Sequence, residues 1–181
     1  MQETTDEQLI RAFQRGDAGA FEVFVTRHQD RIYRLAGMWL YDSELAADVL
    51  QETLLRSYTG FGRFRFRAQP STWILRVCRN VCREYNRRRR FEALEPEAAE
   101  LSEAADYDRK LDAEQTLARL RQAIHRLPER QQQVVALRIL EELSVAQTAK
   151  VMGCRPGTVK AHLHKAVANL RTQFDLAVPD D

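Results

Sequence analysis

The sequence predicts an all-α protein: two small helical domains joined by an acidic linker, the C-terminal one a helix-turn-helix. Three observations carry that prediction. Apolar residues recur at intervals of three and four along most of the chain, the pattern of helices that each bury one face. Only 7 Gly and 5 Pro punctuate 181 residues, too few for the frequent tight turns of a β-rich protein. Charge is sorted into blocks. Residues 63–90 carry ten Arg against Glu84, a balance of +9; residues 91–114 carry nine acids against Arg109 and Lys110, or −7; residues 115–174 carry ten Lys or Arg against three acids, or +7. The total of +2 thus conceals two basic helical units flanking an acidic connector, which suits a protein that grips a polyanion at two points.

Composition narrows the classes further. A hydrophobic content of 44% gives each unit enough apolar side chains for a core. No apolar run approaches the ~20 residues that span a bilayer, and Met1 to Asp6 lack the basic-then-apolar order of a signal peptide, so a cytoplasmic protein without membrane insertion is expected. Three cysteines make no disulfide framework and fit a reducing compartment.

The first predicted helix runs from about Glu7 to Gln14 and closes at Gly16, after which Asp17 offers a cap for the second. That second helix carries Phe21, Phe24, Val25, Ile32, Leu35 and Ala36 at helical spacing up to Trp39. A third is expected from Ser43, as its cap, to Tyr58, burying Ala47, Leu50, Leu54 and Tyr58. Its outward face would then mix Leu45 and Val49 with Asp48, Glu52 and Arg56, a mixture that suits a partner protein. Gly62 and Pro70 bracket a loop in which aromatic and basic residues alternate from Phe61 to Arg67. Ser71 is expected to cap the fourth helix, which extends to about Arg90. Trp73, Val77, Cys78, Val81 and Tyr85 share one of its faces; Arg76, Arg79, Arg83, Arg87 and Arg90, spaced 3, 4, 4 and 3, share the other.

A row of guanidinium groups on a rigid rod can track the phosphates of one nucleic-acid strand, and the rings of the preceding loop offer faces on which unpaired bases stack. The stretch from Phe91 to about Asp112 is acidic, rich in Ala and without apolar periodicity, so it reads as an extended linker held off the phosphates by its own charge.

The C-terminal unit is predicted to open with a helix that buries Leu117, Leu120, Ile124 and Leu127 and stops at Pro128. A second starts at Pro128-Glu129 and carries Val134, Val135, Leu137 and Leu140. Ser144 and Gln147 form a capping-box pattern at the start of a short helix that ends on Gly153, a residue able to take the left-handed conformation of a tight turn. The last helix runs from Pro156 to about Phe174 and buries Val159, Leu163, Ala166 and Leu170. Ala149, Gly153, Val159 and Leu163 stand where a helix-turn-helix needs a small residue, a turn and two anchors. Thr158, Ala161 and Lys165 then point outward, with Lys160, His162 and His164 on the flanks, as for a helix entering the major groove.

With these pieces in place, the chain from about Thr5 to Phe174 resembles a bacterial sigma factor of the extracytoplasmic-function (ECF) group, in the sigma-70 family. Asp48-Val49-Leu50-Gln51-Glu52-Thr53 is similar to the family's core-polymerase-binding segment, and Ser71 through Asn80 to its promoter-melting helix. Leu127-Pro128-Glu129-Arg130-Gln131 and Gly157-Thr158-Val159-Lys160 resemble landmarks of its C-terminal domain. The resemblance implies a division into region 2 (1–90), linker (91–113), region 4 (114–174) and tail (175–181). It implies that Asp48, Gln51 and Glu52 dock on core RNA polymerase. The loop 61–69, with Phe64 and Arg65, would receive a base flipped from the minus-ten element, while Trp73, Arg76, Arg79, Asn80 and Arg83 hold the melted strand. Arg155, Thr158, Lys160, His162 and Lys165 would read the minus-thirty-five element of promoter DNA.

The match departs from the family pattern in the last helix. Ala161 and His162 stand where Ser and Arg are common, Lys165 replaces a common Arg, and Arg155 takes a cap position that often holds Ser, so readout there is expected to be weaker or different. Such proteins are usually restrained by a separate anti-sigma factor, and one is expected here. Free protein is expected to bind promoter DNA poorly.

Rival readings explain less. A helix-turn-helix transcription regulator with a two-component-type output domain accounts for 115–174 and leaves 20–90 unexplained, and an RNA-binding adaptor uses only the Arg stripe. For an enzyme there is no phosphate-binding Gly loop, nucleophile motif or triad, so no catalytic residue and no cofactor is expected. Cys78 and Cys82 could offer two metal ligands four residues apart. They read better as small core residues, and no metal site is expected.

Overall fold

A computed structural model describes residues 4–40, 42–92 and 112–175. Eight α-helices and no strand appear among them: α1 (Asp6–Gln14), α2 (Ala18–Leu40), α3 (Ser43–Phe61), α4 (Pro70–Glu92), α5 (Asp112–His125), α6 (Glu129–Val135), α7 (Val145–Met152) and α8 (Pro156–Asp175). A π-helical turn, Ala136–Leu140, extends α6. Residues 93–111, most of the expected linker, lie outside the described residues. Phe91 and Glu92 continue α4, and Asp112 and Ala113 open α5. The side chains of Arg90, Leu117 and Phe174 also lie outside the description.

Side-chain hydrogen bonds start several helices. Thr5 and Gln8 form a reciprocal capping box on α1, and Ser144 and Gln147 form another on α7. Asp17 Oδ1 accepts from the Ala20 amide at 3.2 Å, satisfying an orphan donor at the start of α2. Two helices begin earlier than the expected cap would set. Asp42, not Ser43, caps α3, because its carboxylate accepts from the Glu44 and Leu45 amides at 3.0 Å each. Pro70, not Ser71, opens α4, where its fixed φ suits a first turn and its missing N–H costs nothing. Gly153 ends α7 at φ 63° and ψ 42°, the left-handed turn expected of it.

The largest correction concerns α3. Its buried side chains are Ala46, Val49, Thr53, Ser57 and Phe61, whereas Ala47 and Tyr58 are exposed and Leu50 and Leu54 half-buried. Val49 is therefore core, Leu45 is half-buried, and the expected outward mixture around them does not form. Hydrophobicity selects the wrong stripe because the buried one contains two hydroxyl residues. Ser57 Oγ donates to the Thr53 carbonyl at 2.6 Å, which lets a polar side chain sit inside. Leu140, expected in the core, is exposed: the π turn places it and Ile139 on the surface.

One buried cluster runs through both units. Ile32, Leu35 and Trp39 of α2, Val49 and Phe61 of α3, and Ile74, Leu75, Cys78, Val81 and Cys82 of α4 are continuous with Val134, Leu137, Val151, Met152 and Val159 of the C-terminal unit. Helix α4 packs against α3 and α2 on one side and against α7 on another. Both Cys78 and Cys82 are core residues, and the Cys78 hydrogen bond together with burial pushes the Cys82 thiol well above its ordinary range. No helix among the described residues is long and apolar enough to cross a membrane.

Candidate nucleic-acid interface

The aromatic-basic loop is built as a rim around Trp73. Gln14, at the end of α1, donates to the carbonyls of Phe61 and Phe64 at 2.9 Å each, strapping the loop down. Phe61, Phe64 and Trp73 pack as one cluster, with ring centroids 4.6 Å apart for Phe61 and Trp73 and 5.6 Å for Phe64 and Trp73. Phe66 adopts φ 55°, uncommon for an aromatic residue, and the Arg11 guanidinium lies 4.1 Å from its ring centroid. Gly60 leaves the room that Trp73 needs: a Cβ there would stand 2.4 Å from Trp73 Cη2. The result is a cavity of about 420 Å³ whose lining includes Phe64, Arg65, Thr72, Trp73 and Arg76, with Lys150 contributed by α7.

Four sequence-predicted residues follow on α4. Arg76, Asn80 and Arg83 are exposed, as is Arg87, so most of the stripe faces solvent. Arg79 is the exception, at 4% exposure, and its Nε donates to Gln133 Oε1 of α6 at 2.8 Å. Burial, with Arg83 and Arg130 nearby, brings its guanidinium down to about 10. Glu84, the single acid of this stretch, is held by Arg56 through two hydrogen bonds of 2.9 and 2.8 Å. The Arg56 pair holds the Glu84 carboxyl below its usual range, and raises Arg56 in turn. Glu84 is thereby engaged by α3, and the neighbouring arginines keep their charge for an outside anion.

On α3, Asp48 and Gln51 are exposed and Glu52 is half-buried, its carboxylate accepting from Arg56 Nε at 2.6 Å. Leu55 and Tyr58, 66% and 52% exposed, stand on the same helix. Arg56 is the residue whose role is hidden in the sequence: the four-residue step from Glu52 signals one partner, but Glu84 lies 28 residues away.

In the C-terminal unit, Ala149 of α7 and Val159 of α8 are buried in the main core, Ala166 is buried in a second cluster with Ile124, Leu127 and Val135, and Leu163 and Leu170 are half-buried. Arg155, Lys160 and Lys165 are exposed; Thr158 and His162 are half-buried. The minus-thirty-five candidates therefore gather on α8 and the turn before it, those of the minus-ten element on α4 and its loop, and those for core docking on α3.

An arginine-faced helix beside an aromatic-rimmed cavity, combined with a helix-turn-helix, defines a DNA-binding transcription factor with two reading heads. Residues 24–92 match the family described as "Sigma-70 region 2", and residues 117–170 match "Sigma-70, region 4". The chain is 33% identical to the "ECF RNA polymerase sigma factor SigM" of Mycobacterium tuberculosis over 168 residues, covering 93% of this chain and 84% of that protein. The fold is similar to that of CnrH, solved in complex with the cytosolic domain of CnrY: TM-score 0.74, 22% identity, 96% of this chain and 99% of that one. It is also similar to the sigma factor RpoE of Bartonella quintana, solved with the anti-sigma factor NepR: TM-score 0.72, 20% identity, 88% and 98% coverage. The chain belongs to the ECF group of the sigma-70 family. It is a transcription initiation factor that binds core RNA polymerase and directs it to promoter DNA.

Proposed function

We propose that the three sites divide the work of initiation as follows. Region 2 spans 1–90, the connector 91–113, region 4 114–174 and a tail 175–181. Asp48, Gln51 and Glu52, on one helix with exposed Leu55 and Tyr58, dock on core polymerase. Region 4 reads the minus-thirty-five element through Arg155, Thr158, Lys160, His162 and Lys165. Region 2 opens the minus-ten element: the cavity bordered by Phe64, Arg65 and Trp73 takes one flipped base, and the exposed Arg76, Asn80 and Arg83 hold the freed strand, Arg79 being engaged by Gln133 in the interior.

The observation that carries this reading is the placement of a cavity of about 420 Å³ beside exposed Arg76, at the head of the arginine stripe. Flipping a base costs a few kcal/mol, which stacking, hydrogen bonds and phosphate contacts offset, so opening draws on binding free energy and no reaction catalysed by this chain enters. The work takes place in the cytoplasm, where core polymerase and promoter DNA meet. A separate anti-sigma factor is the proposed antagonist, on the precedent of the RpoE–NepR complex.

The docking assignment is tested by Glu52→Arg, which reverses a half-buried charge and sets a second cation against Arg56. The expected result is a loss of core binding of about thirtyfold or more in pull-down titration, with an unchanged helical circular-dichroism spectrum. Undiminished binding by a folded variant overturns the assignment.

A further inference from the structure

Helix α1 carries none of the residues assigned above to promoter or polymerase, yet two of its side chains hold the aromatic-basic loop. The loop closes its own first turn, the Arg63 and Phe64 amides donating to the Gly60 and Phe61 carbonyls at 3.2 and 3.1 Å. Where the chain leaves that turn, Gln14 Nε2 donates to the Phe61 and Phe64 carbonyls at 2.9 Å each, across 47 and 50 positions of sequence. One turn earlier on α1, the Arg11 guanidinium lies over the Phe66 ring, 4.1 Å from its centroid. Phe66 needs a restraint, because its φ of 55° is a conformation that aromatic residues rarely adopt.

Both restraints converge on Phe64. Its carbonyl is held by Gln14, and its ring meets Phe66 edge-on at 5.0 Å and Trp73 at 5.6 Å, where it forms part of the cavity wall. Helix α1 is itself anchored. Asp6 accepts from Arg27 of α2 at 2.7 Å and pairs with His28 Nε2 at 2.8 Å. Glu7 takes Arg11 by hydrogen bonds of 3.0 and 2.7 Å, and Phe13 packs against Phe21 and Tyr58 with ring centroids 5.2 and 5.0 Å apart. From α2 through α1 to the rim of the cavity, each step is thus a defined contact.

We propose that α1 positions the loop that receives the flipped base, with Gln14 and Arg11 as positioning residues that keep the cavity formed before DNA arrives. The consequence for opening rests on the assignment of that cavity to a minus-ten base; the strap on the loop does not. A loop that must be ordered at the moment of binding subtracts its lost conformational freedom from the contacts it makes, whereas a preformed one does not. Without the strap, Phe66 relaxes toward negative φ, Phe64 follows, and the wall beside Trp73 opens. The strap depends on the sign of the contact more than on side-chain volume. Two carbonyl oxygens face Gln14, so a donor there holds them, an apolar group does not, and a carboxylate repels them.

The test takes the full chain with substitutions at Gln14 and reads it twice: by acrylamide quenching of tryptophan fluorescence in the free chain, and by fluorescence of 2-aminopurine placed in the minus-ten element of a promoter bound by the polymerase complex. Trp73 is half-buried; the other tryptophan, Trp39, is 3% exposed and adds a background that barely quenches. Gln14→Met is expected to raise the quenching constant and lower the opening equilibrium constant about fivefold, through the loss of two exposed hydrogen bonds. Gln14→Glu, nearly isosteric, is expected to lower it about thirtyfold, and Gln14→Lys, which still donates, to recover most of the loss. Arg11→Met is expected to give a smaller loss, about twofold. Core binding in pull-down titration should stay unchanged throughout. An order set by volume, with Gln14→Glu nearest to wild type, overturns the proposal, as does quenching that no variant alters. So does greater quenching with undiminished opening. Trp73→Ala separates the two readings: if it too leaves opening intact, the assignment of the cavity to a base falls, and if it abolishes opening while Gln14→Glu does not, only the role of α1 falls.

Discussion

The two DNA-facing helices stand in different states. On α8 the candidate contacts Lys160 and Lys165 are both exposed; on α4 the stripe is interrupted at Arg79, which lies in the interior against Gln133. The difference teaches that possession of a reading residue and availability of that residue are separate properties. Position along the helix decides the first. Packing from a segment far away in sequence decides the second.

The comparison can be broken most sharply from the exposed side. Lys160→Glu with Lys165→Glu reverses two charges on α8 and is expected to lower initiation at promoters that depend on the minus-thirty-five element by about a hundredfold. Binding of a single strand by the free chain should not change; an equal loss there, by anisotropy, would mean that the two heads are not distinct. A smaller effect is expected at the foot of α4. Gly60→Ala drives a methyl group into Trp73 and is expected to destabilise the fold by about 1–3 kcal/mol. It should also reduce opening of the minus-ten element, with core binding retained; unaltered opening would remove Trp73 from the site.

The smallest effect lies at the far end of region 2, where α1 is pinned to α2. Burial pushes the Asp6 carboxyl up, but the His28 hydrogen bond and charge, with Arg27, outweigh it and leave Asp6 below its ordinary 3.8. A carboxylate lowered in the folded state stabilises above its unfolded value and loses that contribution as pH falls through the folded one. Asp6→Asn is therefore expected to lower the melting temperature by about 2–4 °C at pH 7. The gap should close in acid below 3.8; a gap that persists there would assign the effect to packing.

Much of this was legible from local pattern. The capping box at Ser144, the left-handed Gly153 and the anchors Val159 and Ala166 stand as the sequence indicates. The phase of α3 was not legible, because Thr53 and Ser57 look like surface residues until the backbone carbonyl that satisfies Ser57 is seen. Nor was the state of Arg79. In sequence it is indistinguishable from Arg76 and Arg83, and what separates them is a glutamine 54 residues away whose own character, flanked by Gln131 and Gln132, suggests exposure. Long-range polar pairs of this kind, Arg31 with Glu141 and Arg56 with Glu84 among them, leave no periodic trace. The candidate site was therefore readable as a list of residues and unreadable as a surface.

Permanganate reactivity of promoter thymines tests the central claim most directly, since it reports thymines that have left the duplex stack. Core polymerase with this chain is expected to expose thymines of the minus-ten element. With Arg76→Ala and Asn80→Ala combined, the complex should still form on core and promoter while those thymines stay protected. Full reactivity in that variant would contradict the account, as would protected thymines with the unaltered chain at promoters it binds.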